Sequence, residues 1–182
     1  MKKMNSKGFT LIELLAVITI MGILMMVAIP SVSRTIENAR RDTFANIAHE
    51  YVNAIRNAVL ADNIECELTT GNWTVASGTP DGTYYFEIDT TSNNTKDLME
   101  SGGKSPFGNT EMNGYVQWTK TSTTNSRGDY KTKTTYTMAL VDTGSHGFNE
   151  YKTEAEIKRN IVETSGQTTP AAPTGAKKCQ LS

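Results

Sequence analysis

Few side chains in this sequence have the type and spacing to do chemistry, and one of them stands in an unusual place. Glu13 is the single carboxylate in the otherwise uncharged stretch Gly8 to Pro30, GFTLIELLAVITIMGILMMVAIP. An unpaired acid inside a membrane costs about 2.5–3.5 kcal/mol on insertion scales and is by default a functional residue. No basic residue lies within a helical turn or two of Glu13 inside the apolar segment, so a partner is expected from elsewhere. A cut between Gly8 and Phe9 would supply one. The new α-amino group lies one helical turn from Glu13 and at the depth to meet Glu13 of a neighbouring chain. An amine of one subunit facing an acid of the next is a head-to-tail contact, and such heterologous contacts build helical filaments when they do not close.

The remaining candidates are weaker. His49 and His146 are far apart, and neither has a Cys or His at a chelating interval, so no metal site and no cofactor are expected. His49, beside Glu50, reads as a solvated or interface residue. Asp142-Thr143-Gly144 matches an aspartic-protease tripeptide, but it occurs once, in a chain short for that fold, which reads as chance. Asp129 and Asp142 lack the dense carboxylate company that a calcium loop needs. There is neither a glycine-rich phosphate loop nor a nucleophile elbow, and the chain is not expected to be an enzyme.

The element that positions Glu13 is a helix of membrane length. Phe9 to Ile29 is 21 residues, roughly 32 Å as an α-helix against a hydrocarbon core of about 30 Å. The basic start, Lys2, Lys3 and Lys7, also suits a secretory signal peptide. The apolar run, however, exceeds the usual core of about 7–15 residues, and Val27-Ala28-Ile29 is no small-x-small cleavage site. A single-pass anchor with a stray acid is the plain alternative.

In its Gly8-Phe9-Thr10-Leu11-Ile12-Glu13 start the stretch resembles the N-terminus of a type IV prepilin, of the superfamily that includes pseudopilins. The resemblance implies that residues 1–8 are a leader removed by a membrane-embedded prepilin peptidase, with Gly8 its last residue. Phe9 becomes the N-methylated first residue, and Glu13 the acid that recruits and registers incoming subunits. Gly22 and Pro30 fall where such pilins carry a glycine and a helix-bending proline. Proline lacks the amide donor and crowds the preceding turn, so bending or melting between Gly22 and Pro30 is expected. The resemblance also implies a homo-oligomeric helical filament, a membrane assembly platform with its ATPase, and minor pilins as partners.

The sequence has 182 residues and a formal charge of −1; loss of the three leader lysines takes residues 9–182 to −4 before the new amine is counted, which gives no support for nucleic-acid binding through bulk charge. Arg34, Arg40 and Arg41 balance the lysines ahead of the apolar run, so the positive-inside count is a tie. An extracytoplasmic head rests on the resemblance. In such a head the two cysteines, Cys66 and Cys179, suggest a disulfide closing a loop of over 100 residues, stabilising by about 4.7 kcal/mol in the chain-entropy model. Two free thiols are the alternative.

Beyond Pro30 the periodicity predicts an amphipathic continuation: Ile36, Phe44, Ile47, Ala48, Tyr51, Val52, Ile55, Ala58 and Val59 fall at spacings of three and four. One long helix is expected over 9–62, transmembrane over 9–29, followed by a β-rich head over 63–182. Strands are predicted at Trp73–Ala76, Thr83–Asp89, Gly114–Lys120 and Thr134–Val141, and an exposed hairpin loop at Ser122–Asp129. Three or four antiparallel strands covering the lower half of the helix make an α+β arrangement, the pilin fold. A helical turn is predicted at Lys96–Glu100 and a short helix at Thr153–Glu163, supported by Glu154 and Lys158 at i,i+4. Ser105-Pro106-Phe107-Gly108-Asn109 before a strand is similar to a turn of pilins and secretion pseudopilins. The low-complexity tail 164–182 is expected to be mobile unless Cys179 ties it down.

The functional expectation is a structural subunit of a type IV pilus, held in the membrane by a single pass and then displayed on the cell surface for adhesion, motility or attachment. A pseudopilin of a type II secretion or DNA-uptake system shares the N-terminus. A membrane-anchored binding domain that never polymerises is the reading of another class.

Overall fold

The computed structural model describes residues 9–90, 98, 104–108 and 111–182. It comprises two units, divided between Ala39 and Arg40. A single helix, α1 (Leu11–Leu60), carries residues of both.

In the first unit the apolar side chains of α1 have no cover from the described residues. All fourteen large apolar side chains from Leu11 to Ile29 are more than half exposed. At about 1.5–3 kcal/mol each for removal from water, their sum exceeds the roughly 5–15 kcal/mol that keeps a whole domain folded. The segment therefore demands lipid or other protein around it, and it is long and apolar enough to cross a membrane. No residue between Gly22 and Pro30 leaves the helix. Pro30 has no amide proton, so the carbonyl of Met26 loses the donor that an ordinary residue would supply.

The second unit is a helix packed on a sheet. Phe44, Ala48, Tyr51, Val52, Ile55 and Ala58 are buried, the three- and four-residue spacing that lines one face of a helix. They share one core with side chains of a sheet of seven strands, β1 (Ile64–Thr69), β2 (Asn72–Val75), β3 (Gly82–Asp89), β4 (Met112–Thr124), β5 (Tyr130–Asp142), β6 (Gly147–Thr153) and β7 (Lys177–Leu181), to which all but β2 contribute. The sheet order is β2-β1-β7-β3-β4-β5-β6. Every pairing is antiparallel except β3 with β7. Period-two alternation sets the inner face: Tyr84, Phe86 and Ile88 of β3 and Val116 and Trp118 of β4 are buried, and the Tyr84 and Trp118 rings stack at 6.0 Å. Gly114 is required where β4 meets β5, because a Cβ there would stand 2.2 Å from the carbonyl oxygen of Ala139.

The α+β arrangement is that expected from the sequence, with a larger sheet. The four predicted strands correspond to β2, β3, β4 and β5. β4 and β5 run on through Thr124 and from Tyr130, so the exposed loop contracts to the residues between them. The arm is held because Ser122 donates its hydroxyl and its amide to Asp81 at 2.7 and 2.6 Å, and these bonds keep the Asp81 carboxyl below its ordinary value. β1, β6 and β7 were not predicted.

The helix predicted at Thr153–Glu163 does not form. Thr153 and Glu156 close a single turn, with Glu156 accepting the Thr153 amide at 2.8 Å and its hydroxyl at 2.6 Å. Lys158 is then extended, and only a 3-10 turn, Arg159–Ile161, follows. Tertiary contacts override the local pattern. Ile157 is buried, its carbonyl meets His49 Nε2 at 2.9 Å, and Glu154 pairs with Arg56 of α1 instead of Lys158. The turn predicted at Lys96–Glu100 lies outside the described residues except for Leu98.

Residues 164–176 form no regular element, but the chain is tied along the way. The amide of Gln167 donates to Ser145 O at 3.1 Å, and Tyr151 Oη donates to Ala171 O at 2.8 Å. The segment ends in β7, where Cys179 lies opposite Cys66 in the β1–β7 register and is joined to it by a disulfide across 113 residues. Both cysteines are buried. Replacing both by serine is expected to lower the unfolding free energy of the chain by about 2–5 kcal/mol, read as a lower urea midpoint in detergent micelles; an unchanged midpoint would show that the covalent link adds nothing to β7 pairing.

Candidate functional site

The first turn of α1 gathers Phe9, Thr10 and Glu13. Phe9 precedes the helix and is 88% exposed. Thr10 is the N-cap, its carbonyl accepting the first helical bond from the Leu14 amide at 3.2 Å. Glu13 Oε2 accepts the Thr10 amide at 2.8 Å and the Thr10 hydroxyl at 2.9 Å. Thr10 Oγ1 in turn accepts the Glu13 amide at 3.4 Å. This reciprocal arrangement is a capping box, which satisfies two of the backbone donors a helix start leaves unpaired.

The arrangement corrects one expectation: Glu13 does not depend wholly on another chain for partners. Hydrogen bonds to the carboxylate and the positive end of the helix both favour the anion where it stands. The charge itself is not neutralised. Both bonds fall on Oε2, which leaves Oε1 for an incoming cation. The signal for Thr10 was in the sequence, because Thr-x-x-Glu directly before an apolar run is the capping-box pattern.

Of the other sequence candidates, Gly8 lies outside the described residues. Gly22 has open space where a side chain would stand, and Pro30 lies inside α1. Cys66 and Cys179 are joined in the second unit and belong to the core. Asp142 is buried and locks a turn: it accepts the Ser105 hydroxyl and the His146 amide at 2.9 Å, and it faces His146 Nδ1 at 2.9 Å. The His146 ring stacks on Phe107 at 4.3 Å, and Phe107 packs near Phe44 at 6.1 Å, so the Pro106-Phe107-Gly108 turn serves packing. Among the described residues no three His, Cys, Asp or Glu side chains are grouped to hold a metal.

Of the candidates read from the sequence, the helix start with its capped acid, ahead of an uncovered apolar run, is the constellation that points to function. Residues 3–29 match the prokaryotic N-terminal methylation motif. The match supports a type IV pilin-like or pseudopilin protein. The motif is a structural one and belongs to no enzyme family; it implies processing by a prepilin peptidase and assembly at a membrane. With the apolar run of α1 it fits a membrane-anchored, single-pass protein. No curated protein and no solved structure matches the chain.

The cap makes its own test. Thr10→Val keeps the side-chain shape but removes the hydroxyl, and loss of an N-cap costs about 0.5–2 kcal/mol. Amide exchange in the first turn of α1, followed by NMR in micelles, is expected to accelerate correspondingly while the helix from Ile18 onward is unchanged.

Proposed function

We propose that the chain is a type IV pilin: a subunit held in the membrane by residues 9–29, freed of residues 1–8 by cleavage after Gly8, N-methylated on Phe9, and polymerised through its N-terminal helix into an extracellular filament. The observation that carries this reading is the methylation motif lying over a helix whose apolar side chains find no cover in their own chain. Lipid covers them while the subunit is stored, and neighbouring helices cover them in the fibre, so transfer from one to the other exposes little apolar surface to water. Gly22 and Pro30 give the helix a place to bend as it enters the fibre.

Glu13 sets the axial register. In the stored subunit its Oε2 is engaged by Thr10. In the filament Oε1 receives the amine of Phe9 from an adjacent subunit, a contact that exists only after the leader is gone. The cap and the intermolecular pair thus use different oxygens of one carboxylate, and the cap aims the second oxygen before the partner arrives.

Glu13→Ala is expected to leave leader cleavage intact and to reduce filament yield strongly, measured by immunoblotting of cell-associated subunit alongside electron microscopy of sheared fibres. Long surface fibres labelled for this subunit in wild-type cells favour a pilus over a secretion or DNA-uptake pseudopilus. Normal piliation of Glu13→Ala would remove the register mechanism.

A further inference from the structure

The hairpin joining β4 to β5 ends in a turn of three residues, Ser126, Arg127 and Gly128, closed by Asn125 and Asp129. The Asn125 amide donates to Asp129 O and the Gly128 amide to Asn125 O, each at 3.0 Å. Asn125 Oδ1 accepts the amides of Arg127 and Asp129, each at 2.9 Å, while Asn125 Nδ2 donates to Asp129 Oδ2 at 2.8 Å. Gly128 has φ +85°, the left-handed residue that a three-residue hairpin loop calls for. The tip is therefore a rigid turn, and it stands on an arm that Asp81 braces through Ser122.

Its sequence is Arg127-Gly128-Asp129. All residues from Thr123 to Tyr130 are exposed, and Tyr130 beside the tip is 71% exposed. Arg127 and Asp129 form no ion pair with a described residue. The turn thus displays a guanidinium and a carboxylate two residues apart, with no side chain between them. The hydrogen bond from Asn125 occupies Asp129 Oδ2 and leaves Oδ1 to a receptor.

We propose that this tip is a ligand for cell-surface adhesion receptors of the Arg-Gly-Asp-binding class. The receptor chemistry implied is an acidic pocket that takes the guanidinium fork of Arg127 bidentately and a bound divalent cation with an open position for a carboxylate oxygen of Asp129. Gly128 lets the receptor approach the backbone closely. Lys131 and Lys133, on the adjoining strand, complement an acidic receptor face. Because the turn is fixed before binding, little ordering is lost on association. The proposal rests on the extracytoplasmic placement of the head in the pilin reading. It does not require a filament.

The test uses the purified full-length chain in detergent micelles against a panel of integrin ectodomains, each shown to hold a cyclic Arg-Gly-Asp peptide, in magnesium or manganese. Saturable binding is expected to at least one ectodomain, competed by free Arg-Gly-Asp-Ser peptide and abolished by EDTA. Asp129→Glu keeps the charge but shifts the carboxylate by a methylene, and Arg127→Lys keeps the charge but loses the fork. Each is expected to weaken binding roughly tenfold or more, with an unchanged circular dichroism spectrum, while Lys158→Gln, at an exposed position outside the hairpin, leaves binding and its EDTA sensitivity intact. Binding by no ectodomain overturns the proposal, as does binding indifferent to EDTA or to Asp129→Glu. Salt-sensitive binding that survives both would assign the patch to a polyanion held by Lys131 and Lys133. All of these outcomes are read on purified chain, so a negative result leaves the pilin reading standing, and failure of polymerisation in cells leaves the receptor contact standing.

Discussion

An apolar helix that its own chain does not cover is the constraint on which the rest of this protein turns. From Leu11 to Ile29 every large apolar side chain is more than half exposed, so burial of this surface calls for cover from lipid or from other protein. A lone carboxylate in such a helix is tolerable only at an end, where backbone donors are unpaired and the helix dipole favours an anion. Glu13 stands there, in the first turn, with Thr10 as its local partner. In the proposed pilin the same position also serves an amine made by cleavage after Gly8, so that capping and assembly are two uses of one placement.

The head answers a different requirement, that of holding together on its own. Its sheet is continuous only because the last strand, β7, enters between β1 and β3. Without Lys177–Leu181 the β1–β2 hairpin is cut off from the β3–β6 meander. Completion of the sheet therefore depends on β7, and non-local pairing of this kind is slow to form. The Cys66–Cys179 bond fastens the beginning of the head to its end at the point of register. The outcome is a head with a buried core under its sheet and its β4–β5 hairpin tip open to solvent.

How much of this was legible in the sequence depended on how local the deciding forces are. The helix was readable because both its apolar run and its later three-four spacing lie in contiguous sequence, but the melting expected as one outcome between Gly22 and Pro30 does not occur. β3, β4 and β5 were readable from alternation in Thr83–Asp89, Gly114–Lys120 and Thr134–Val141. β1 was not legible because Glu65 and Glu67, residues depleted in strands, alternate with Ile64, Cys66 and Leu68. β7 was missed because Lys177-Lys178-Cys179-Gln180-Leu181 lies in a tail whose composition suggests no structure, and only pairing with both β1 and β3 makes it a strand. The helix expected after Thr153 failed for the same reason in reverse: its local pattern was sound, but burial of Ile157 and the pairing of Glu154 with Arg56 were stronger. Glu13 was found by its cost. Thr10, its partner, carries no charge to mark it, and its only sequence signal is the Thr-x-x-Glu pattern ahead of the apolar run.

The central claim is that the assembly amine at Phe9 is created by processing. Mass spectrometry of the N-terminus of the protein isolated from its native membrane tests it most directly. The account predicts a chain that begins at Phe9 and carries one methyl group on its α-amine. A chain that retains Met1–Gly8, or one cut elsewhere, would contradict it and return Glu13 to the status of a capped acid in an ordinary membrane anchor.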